Sequence, residues 1–248
     1  KHKRRNLLKD SLISMGFKNI IQLSSWENLE IAKNLKIRLV PSSNSRNHDW
    51  ENSGLIIDVD NINILNLNDN IPDELLLNHV REFIAPNQID VALVQSTGVS
   101  NYPSRFLLDN FKRSKACKDK LDDYFRHEMI CSILNPKLII PIAGDFGWMM
   151  PCDFEQNYSA RTTPYRLAEH LLAKSYRCEI LDPDDILNLR DLSLSRSKNN
   201  PENQSQWKNY AKVLEESKNY YSESISDHDV ERKKYSKFYS FKDIKILT

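Results

Sequence analysis

Apolar and polar positions are most tightly ordered over residues 52–70, NSGLIIDVDNINILNLNDN, where two apolar runs, 54–59 and 62–67, flank an Asp60-Asn61 pair. An Asp-Asn step between such runs favours the left-handed backbone of a two-residue turn, so the pattern predicts a β-hairpin. With Val59 paired to Ile62, Asp69 falls just beyond the second strand, opposite Asn52. The loop carrying His48 enters at that same end. A carboxylate and an imidazole far apart in sequence then share one rim.

Around this hairpin the periods alternate. Residues 1–15 read as a helix, with Leu7, Leu8, Leu12 and Met15 at helical spacing and Gly16 as its C-cap. GFKNIIQL (16–23) reads as a short strand, 24–28 as a turn, and 35–40 as a β-rich run closed by Pro41. Residues 72–85 have helical spacing, with Asp73 and Glu74 suited to a helix start. IDVALVQ (89–95) and KLIIPI (137–142) are near-continuous apolar runs, the signature of strands buried on both faces. Between them, 106–134 reads as a long helix stopped by Asn135-Pro136; a helix at 163–175 with Pro164 in its first turn and a strand at 177–181 follow. Residues 193–206 read as a polar linker and 207–221 as a tail helix. Alternating strands and helices predict an α+β or α/β layered domain.

Composition adds bounds. The 248 residues are 40% hydrophobic and 28% charged, an ordinary globular composition with enough chain for a sizeable core. Lys plus Arg (35) nearly balances Asp plus Glu (34), so net charge offers nothing to a nucleic acid or an anionic membrane. No apolar run approaches the roughly 18–20 residues that span a bilayer, and no signal-peptide pattern opens the chain. The expectation is a cytoplasmic protein with a small-molecule substrate, as a monomer or a homo-oligomer. Cys117, Cys131, Cys152 and Cys178 are scattered without a CxxC pair and read as buried or idle thiols. The chain begins Lys-His-Lys-Arg-Arg rather than Met, consistent with a fragment or a processed product.

Several of these segments, in this order, carry a resemblance. GFKNIIQLSSWENLEI, a strand ending in Val-Pro, a loop with a His, LIIDVDNINILNLNDN, IDVALVQSTGVSNYP, KLIIPIAGDFG and ILDPDDIL together resemble the metallo-β-lactamase superfamily. The branch they look most like holds the ascorbate-phosphate lactonase-like proteins and the central domain of CMP-N-acetylneuraminate hydroxylases. The likeness covers most of residues 16–189. It implies an α+β fold, a four-layer αβ/βα sandwich with a metal site at one rim. Residues 1–190 would be the C-terminal major part of that domain, and 191–248 a linker and helical extension.

By the same resemblance Asp69 stands where an aspartate binds the metals, and His48 is the candidate histidine ligand on the preceding loop. One or two divalent ions, zinc, iron or manganese, would sit there. Imidazoles and carboxylates suit such ions, and an open coordination position ionises a bound water near neutral pH. Tyr102, Arg105 and Asp145 follow strand ends where substrate loops belong. The family's His-x-His-x-Asp-His run is absent from this chain and is expected upstream of Lys1; Ala143 stands in the late strand region where many members place a last histidine.

Each residue also has a plain reading. Asp69 between two Asn residues is a good turn former. His48 beside Asp49 suits a solvated loop, and His79, His127 and His170 fall in helical patterns as surface or partner-satisfied side chains. Ser96-Thr97-Gly98 lacks the Gly-x-Ser-x-Gly surround of a serine nucleophile. Three functions follow. One is a metal-dependent hydrolase acting on a small phosphorylated or sugar-like molecule. The alternatives are an oxidoreductase component like the CMP-sialic acid hydroxylases and a non-catalytic binding module that keeps the fold.

Overall fold

In a computed structural model, which describes residues 7–43, 52–96, 109–142 and 163–197 together with 215, 216 and 219, the central hairpin forms as the pattern predicts. Asp60 and Asn61 carry φ of 51° and 65°, the left-handed pair required by the tight turn whose twist matches its strands. They join β3 (Gly54–Val59) to β4 (Ile62–Asn66), with Val59 opposite Ile62 and Leu55 opposite Asn66. Gly54 opens this pair because nothing larger fits: a Cβ there would stand 2.8 Å from the Asn66 carbonyl oxygen.

Two further strands, β1 (Asn28–Ala32) and β2 (Leu35–Val40), continue the antiparallel meander. Beyond β4 the sheet becomes parallel. β5 (Val91–Gln95) lies beside β4, and β6 (Leu138–Ile142) beside β5, completing the order β1-β2-β3-β4-β5-β6. Parallel neighbours need long crossovers, and these contain α2 (Glu74–Ile84) and α3 (Asn110–Leu134). A fourth helix, α4 (Pro164–Ala173), packs on α3 and β6. Side-chain caps start α2 and α4: Asp73 Oδ1 accepts the Leu76 amide at 2.8 Å, and Thr163 Oγ1 accepts the Arg166 amide at 3.2 Å.

Side-chain alternation along β4 to β6 serves two cores. Leu65, Leu67, Ala92, Val94 and Ile139 face α2, α3 and α4, meeting Leu77, Val80, Ile130, Leu134, Leu167 and Leu171. The other face, with Ile64, Val91, Leu93, Leu138 and Ile140, is covered by Leu187, Leu189 and Leu192 around a small hairpin, β7 (Ile186–Asn188) and β8 (Ser193–Ser195). Among the described residues this gives three layers: helices, the six-stranded sheet and the two-stranded hairpin. No helix among them is long and apolar enough to cross a membrane.

The first helix, α1 (Leu7–Ser14), ends as its sequence implies. Gly16, at φ 94°, closes it through Phe17 N to Leu12 O at 3.1 Å and Gly16 N to Ile13 O at 3.0 Å. Three expectations are corrected. Residues 16–23 form no strand, and Phe17 and Ile21 stay exposed. The sheet edge is taken instead by β1, which reaches β2 through the two-residue Lys33-Asn34 turn and so closes the shorter loop. The expected strand at 177–181 makes one parallel bridge, Cys178 to Ile139, before the chain turns away at Asp182. Residues 193–195, expected in a linker, pair as β8. Of the expected tail helix only 215, 216 and 219 are described, and they are helical.

What holds the chain after β8 is ionic. Asp185 accepts the Asp182 amide at 2.9 Å, the Ser197 amide at 2.8 Å and Arg196 Nη1 at 2.7 Å, while Arg196 Nη1 also reaches Ile180 O at 2.6 Å. Burial alone would push the Asp185 carboxyl up; the two amides and the guanidinium overcome it and hold the group below the ordinary carboxylate value. A depressed folded value means stabilisation that is complete above the ordinary carboxylate range and is lost as pH falls through the lower, folded value. Asp185→Asn is therefore expected to lower stability by roughly 1–3 kcal/mol near neutral pH. Urea unfolding at a series of pH values checks the sign: the gap to wild type should narrow below about pH 4, and a gap that widens in acid contradicts this account.

Candidate functional site

Because β4, β5 and β6 run the same way, their carboxyl ends open on one edge, the usual place for a ligand in a parallel sheet. The chain leaves β4 through a tight turn. Asn68, at φ 45°, donates its amide to Asn66 Oδ1 at 2.9 Å, and the Asn70 amide returns to Leu67 O at 2.7 Å. Asp69 is thereby carried to the exposed tip.

Its neighbour across the edge is Gln95, the last residue of β5, whose Nε2 donates to Asp69 Oδ1 at 2.8 Å. Gln95 is itself fixed from behind. Its carbonyl lies 2.8 Å from Nε2 of His127, which reaches up from α3 and is buried. A carbonyl only accepts, so that ring nitrogen carries the proton. Ser96, fully buried, donates its amide to Ile142 O at 2.8 Å and joins the ends of β5 and β6.

On the hairpin side Asn70, 4% exposed, donates from Nδ2 to Pro41 O at 2.9 Å and ties this turn to the end of β2. Its Oδ1 is buried without a hydrogen-bond partner among the described residues, an acceptor whose desolvation they leave uncompensated. Ser43 Oγ, two residues past Pro41, donates to the Asp73 carboxylate that caps α2.

Of the residues singled out in the sequence, the structure places Asp69 on this rim; His48, Tyr102, Arg105 and Asp145 lie outside the described residues. The described chain does approach their segments at this edge, at Ser43, Ser96 and Ile142. Gln95, Asn70 and His127 were not singled out for the rim by sequence reasoning. The available signal was positional, a Gln at the end of a buried apolar run. The other helical histidines are elsewhere: His170 Nε2 meets Glu128 at 2.6 Å and stacks on Tyr124, and His79 is exposed beside Trp26.

Donor chemistry limits what these residues hold alone. Among the described residues no three His, Cys, Asp or Glu side chains gather closely enough to hold a metal ion. Asp69 is exposed there, while the Asp73 carboxylate is already occupied by Ser43 and the Leu76 amide, so the described donors do not by themselves fit a metal. The thiols are no substitute. Burial, with Glu128 adding to it, pushes Cys131 up to about 12; burial, with Cys131 and Glu179 adding to it, pushes Cys178 up to about 12. Both stay protonated and unreactive at neutral pH.

Comparison with known proteins is sparse. No family model matches the chain, and no curated protein matches it by sequence. Among solved structures it is similar to Igni18, a metallo hydrolase from the hyperthermophilic archaeon Ignicoccus hospitalis, at 15% identity and a TM-score of 0.42 over 72% of this chain and 64% of that one. It is also similar to the isothiocyanate hydrolase from Delia radicum gut bacteria, at 13% identity and a TM-score of 0.42 over 70% of this chain and 62% of that one. The chain thus spans under two thirds of the length of either. Likeness this distant fixes neither family nor activity.

The rim's own architecture is testable. His127→Leu removes the donor behind Gln95 and leaves a carbonyl without its partner, a loss of roughly 1–3 kcal/mol. Chemical denaturation should show it; stability equal to wild type would mean that His127 does not secure the end of β5.

Proposed function

We propose that this chain is a metal-dependent hydrolase of the metallo-β-lactamase type, acting on a small phosphorylated or sugar-like substrate at the rim around Asp69. On this reading the three described layers belong to a four-layer αβ/βα sandwich, and Asp69 and His48 are ligands to one or two zinc, iron or manganese ions. Tyr102, Arg105 and Asp145 meet the substrate. The protein works in the cytoplasm on a small molecule, without nucleic acid or membrane.

The observation that supports this reading is where Asp69 stands. It occupies the tip of a turn at the carboxyl edge of three parallel strands, with Oδ1 oriented by Gln95 and no other hydrogen bond or ion pair among the described residues. A carboxylate needed only to make a turn would bond its own backbone, as Asn66 does for Asn68. That no three metal-ligating side chains gather among the described residues also gives a specific basis for a second reading, a binding module without catalysis.

Elemental analysis of the purified full chain separates the two. About one or two equivalents of a divalent metal per chain are expected, with Asp69→Ala losing most of it while circular dichroism and the melting temperature stay near wild type. Folded protein free of metal rejects the hydrolase and leaves the binding module; unchanged metal in Asp69→Ala removes that residue from the site.

A further inference from the structure

The alternation of side chains changes sense along the sheet. On β4 to β6 both faces are apolar and both are covered, by the helices on one side and by the β7–β8 hairpin on the other. On β2 and β3 the face toward the helices carries the charges: Lys36 stands opposite Asp58, and Arg38, opposite Ile56, lies over Phe83 of α2. The far face of the same two strands is apolar throughout. Leu35 pairs with Val59, Ile37 with Ile57 and Leu39 with Leu55, and Ile57 pairs onward to Ile64, where the cover given by the hairpin begins. Residues paired across neighbouring strands share a face, so these six side chains form one surface, widened by Leu29 opposite Ile37.

All of these side chains are partly exposed, and none but Ile64 packs against either core among the described residues. An antiparallel meander with one covered face and one wet face keeps its polar residues on the wet side. Here that order is reversed, which marks the far face as one that another surface covers. Charge and size point to the occupant. A contact around a two-fold axis sets a patch against its own copy, so a charged patch repels itself and an uncharged apolar one matches itself. The charged residues of β1 to β4, Glu30, Lys36, Arg38 and Asp58, all lie on the opposite face. Four strands about 4.8 Å apart and about five residues long give a footprint of roughly 300 Å2, and with side-chain relief two copies bury on the order of 1,000 Å2, the threshold of a specific but reversible interface.

We propose that the far face of β2 and β3 is a homodimer interface, at which two copies pack sheet on sheet about 10 Å apart. The β7–β8 hairpin fills the same layer over β5 and β6 and bounds the contact on that side. The order helices, sheet, sheet, helices then arises between copies. It does so whatever the chemistry at the rim around Asp69.

Sedimentation velocity of the full chain, from about 1 to about 100 μM, provides the test. A monomer–dimer equilibrium with a Kd of roughly micromolar order is expected. Ile57→Lys places two like charges at the centre of the contact and should leave only monomer over that range, with an unchanged circular dichroism spectrum. Ile57→Thr keeps a β-branched side chain suited to a strand, covers the case of a lysine variant that does not fold, and should weaken the dimer by roughly tenfold. Lys36→Gln, on the helix-facing side, should dimerise as wild type does. The proposal is overturned if the wild-type chain stays monomeric throughout, whether another part of the chain covers the face or nothing does. It is equally overturned if folded Ile57→Lys or Ile57→Thr dimerises as wild type does, or if Lys36→Gln weakens the dimer as much as they do.

Discussion

Asp90 holds the parallel half of the sheet in register. It lies immediately before β5 and is 9% exposed. Its carboxylate accepts the Asn63 amide of β4 at 2.8 Å through one oxygen and Lys137 Nζ, just before β6, at 2.6 Å through the other. Its backbone bonds both ways as well, donating to Asn63 O at 2.9 Å and accepting from Leu138 N at 3.0 Å. A buried carboxylate left unpaired is costly, so β4, β5 and β6 are pinned relative to one another at their amino ends. A one-residue slip would unpair the charge and turn each strand's core face outward. Everything at the opposite edge inherits that register, including the approach of Gln95 to Asp69.

The rim is therefore set from below. From Asp90 the pinned strands rise through a core packed on both faces, with Leu65, Ile89, Leu138 and Ile139 almost wholly buried. Close-packed interiors transmit position rather than absorb it. At the top, hydrogen bonds finish the work: His127 fixes the Gln95 carbonyl, Gln95 orients Asp69, and Asn70 ties the turn to β2. The antiparallel end is looser, since Ile31 on the edge strand β1 and Phe17 and Ile21 before it remain exposed.

How much of this the sequence carried follows from contact range. The hairpin was legible to the residue because a two-residue turn and a period of two fix register locally, which placed Asp69 correctly at the open end. β5 and β6 were legible as apolar runs because both their faces are covered. GFKNIIQL carries a strand-like composition but meets no free sheet edge, and β7 and β8 are too short and polar to show a period. Asp90 carries no local signal within the apolar run 89–95, because its role depends on Lys137, 47 residues away in sequence. His127 likewise depends on Gln95, 32 residues distant. His48, Tyr102, Arg105 and Asp145 fall outside the described residues, so the sequence reading of them stands where it began.

The charge at the rim links the two parts of the proposed function. Gln95 engages Asp69 as a neutral donor, which orients a carboxylate without cancelling its charge. Asn70 and Ser96 add dipoles of their own. A phosphorylated substrate brought to Asp69 meets like charge, softened because the carboxylate is exposed to water. On the proposed reading a bound divalent ion would supply compensating positive charge at that carboxylate, and Arg105 would be a second source from the segment after β5. On that reading a phosphorylated substrate and a metal go together, while a neutral sugar-like substrate carries no such requirement and would meet Asp69 as a plain acceptor.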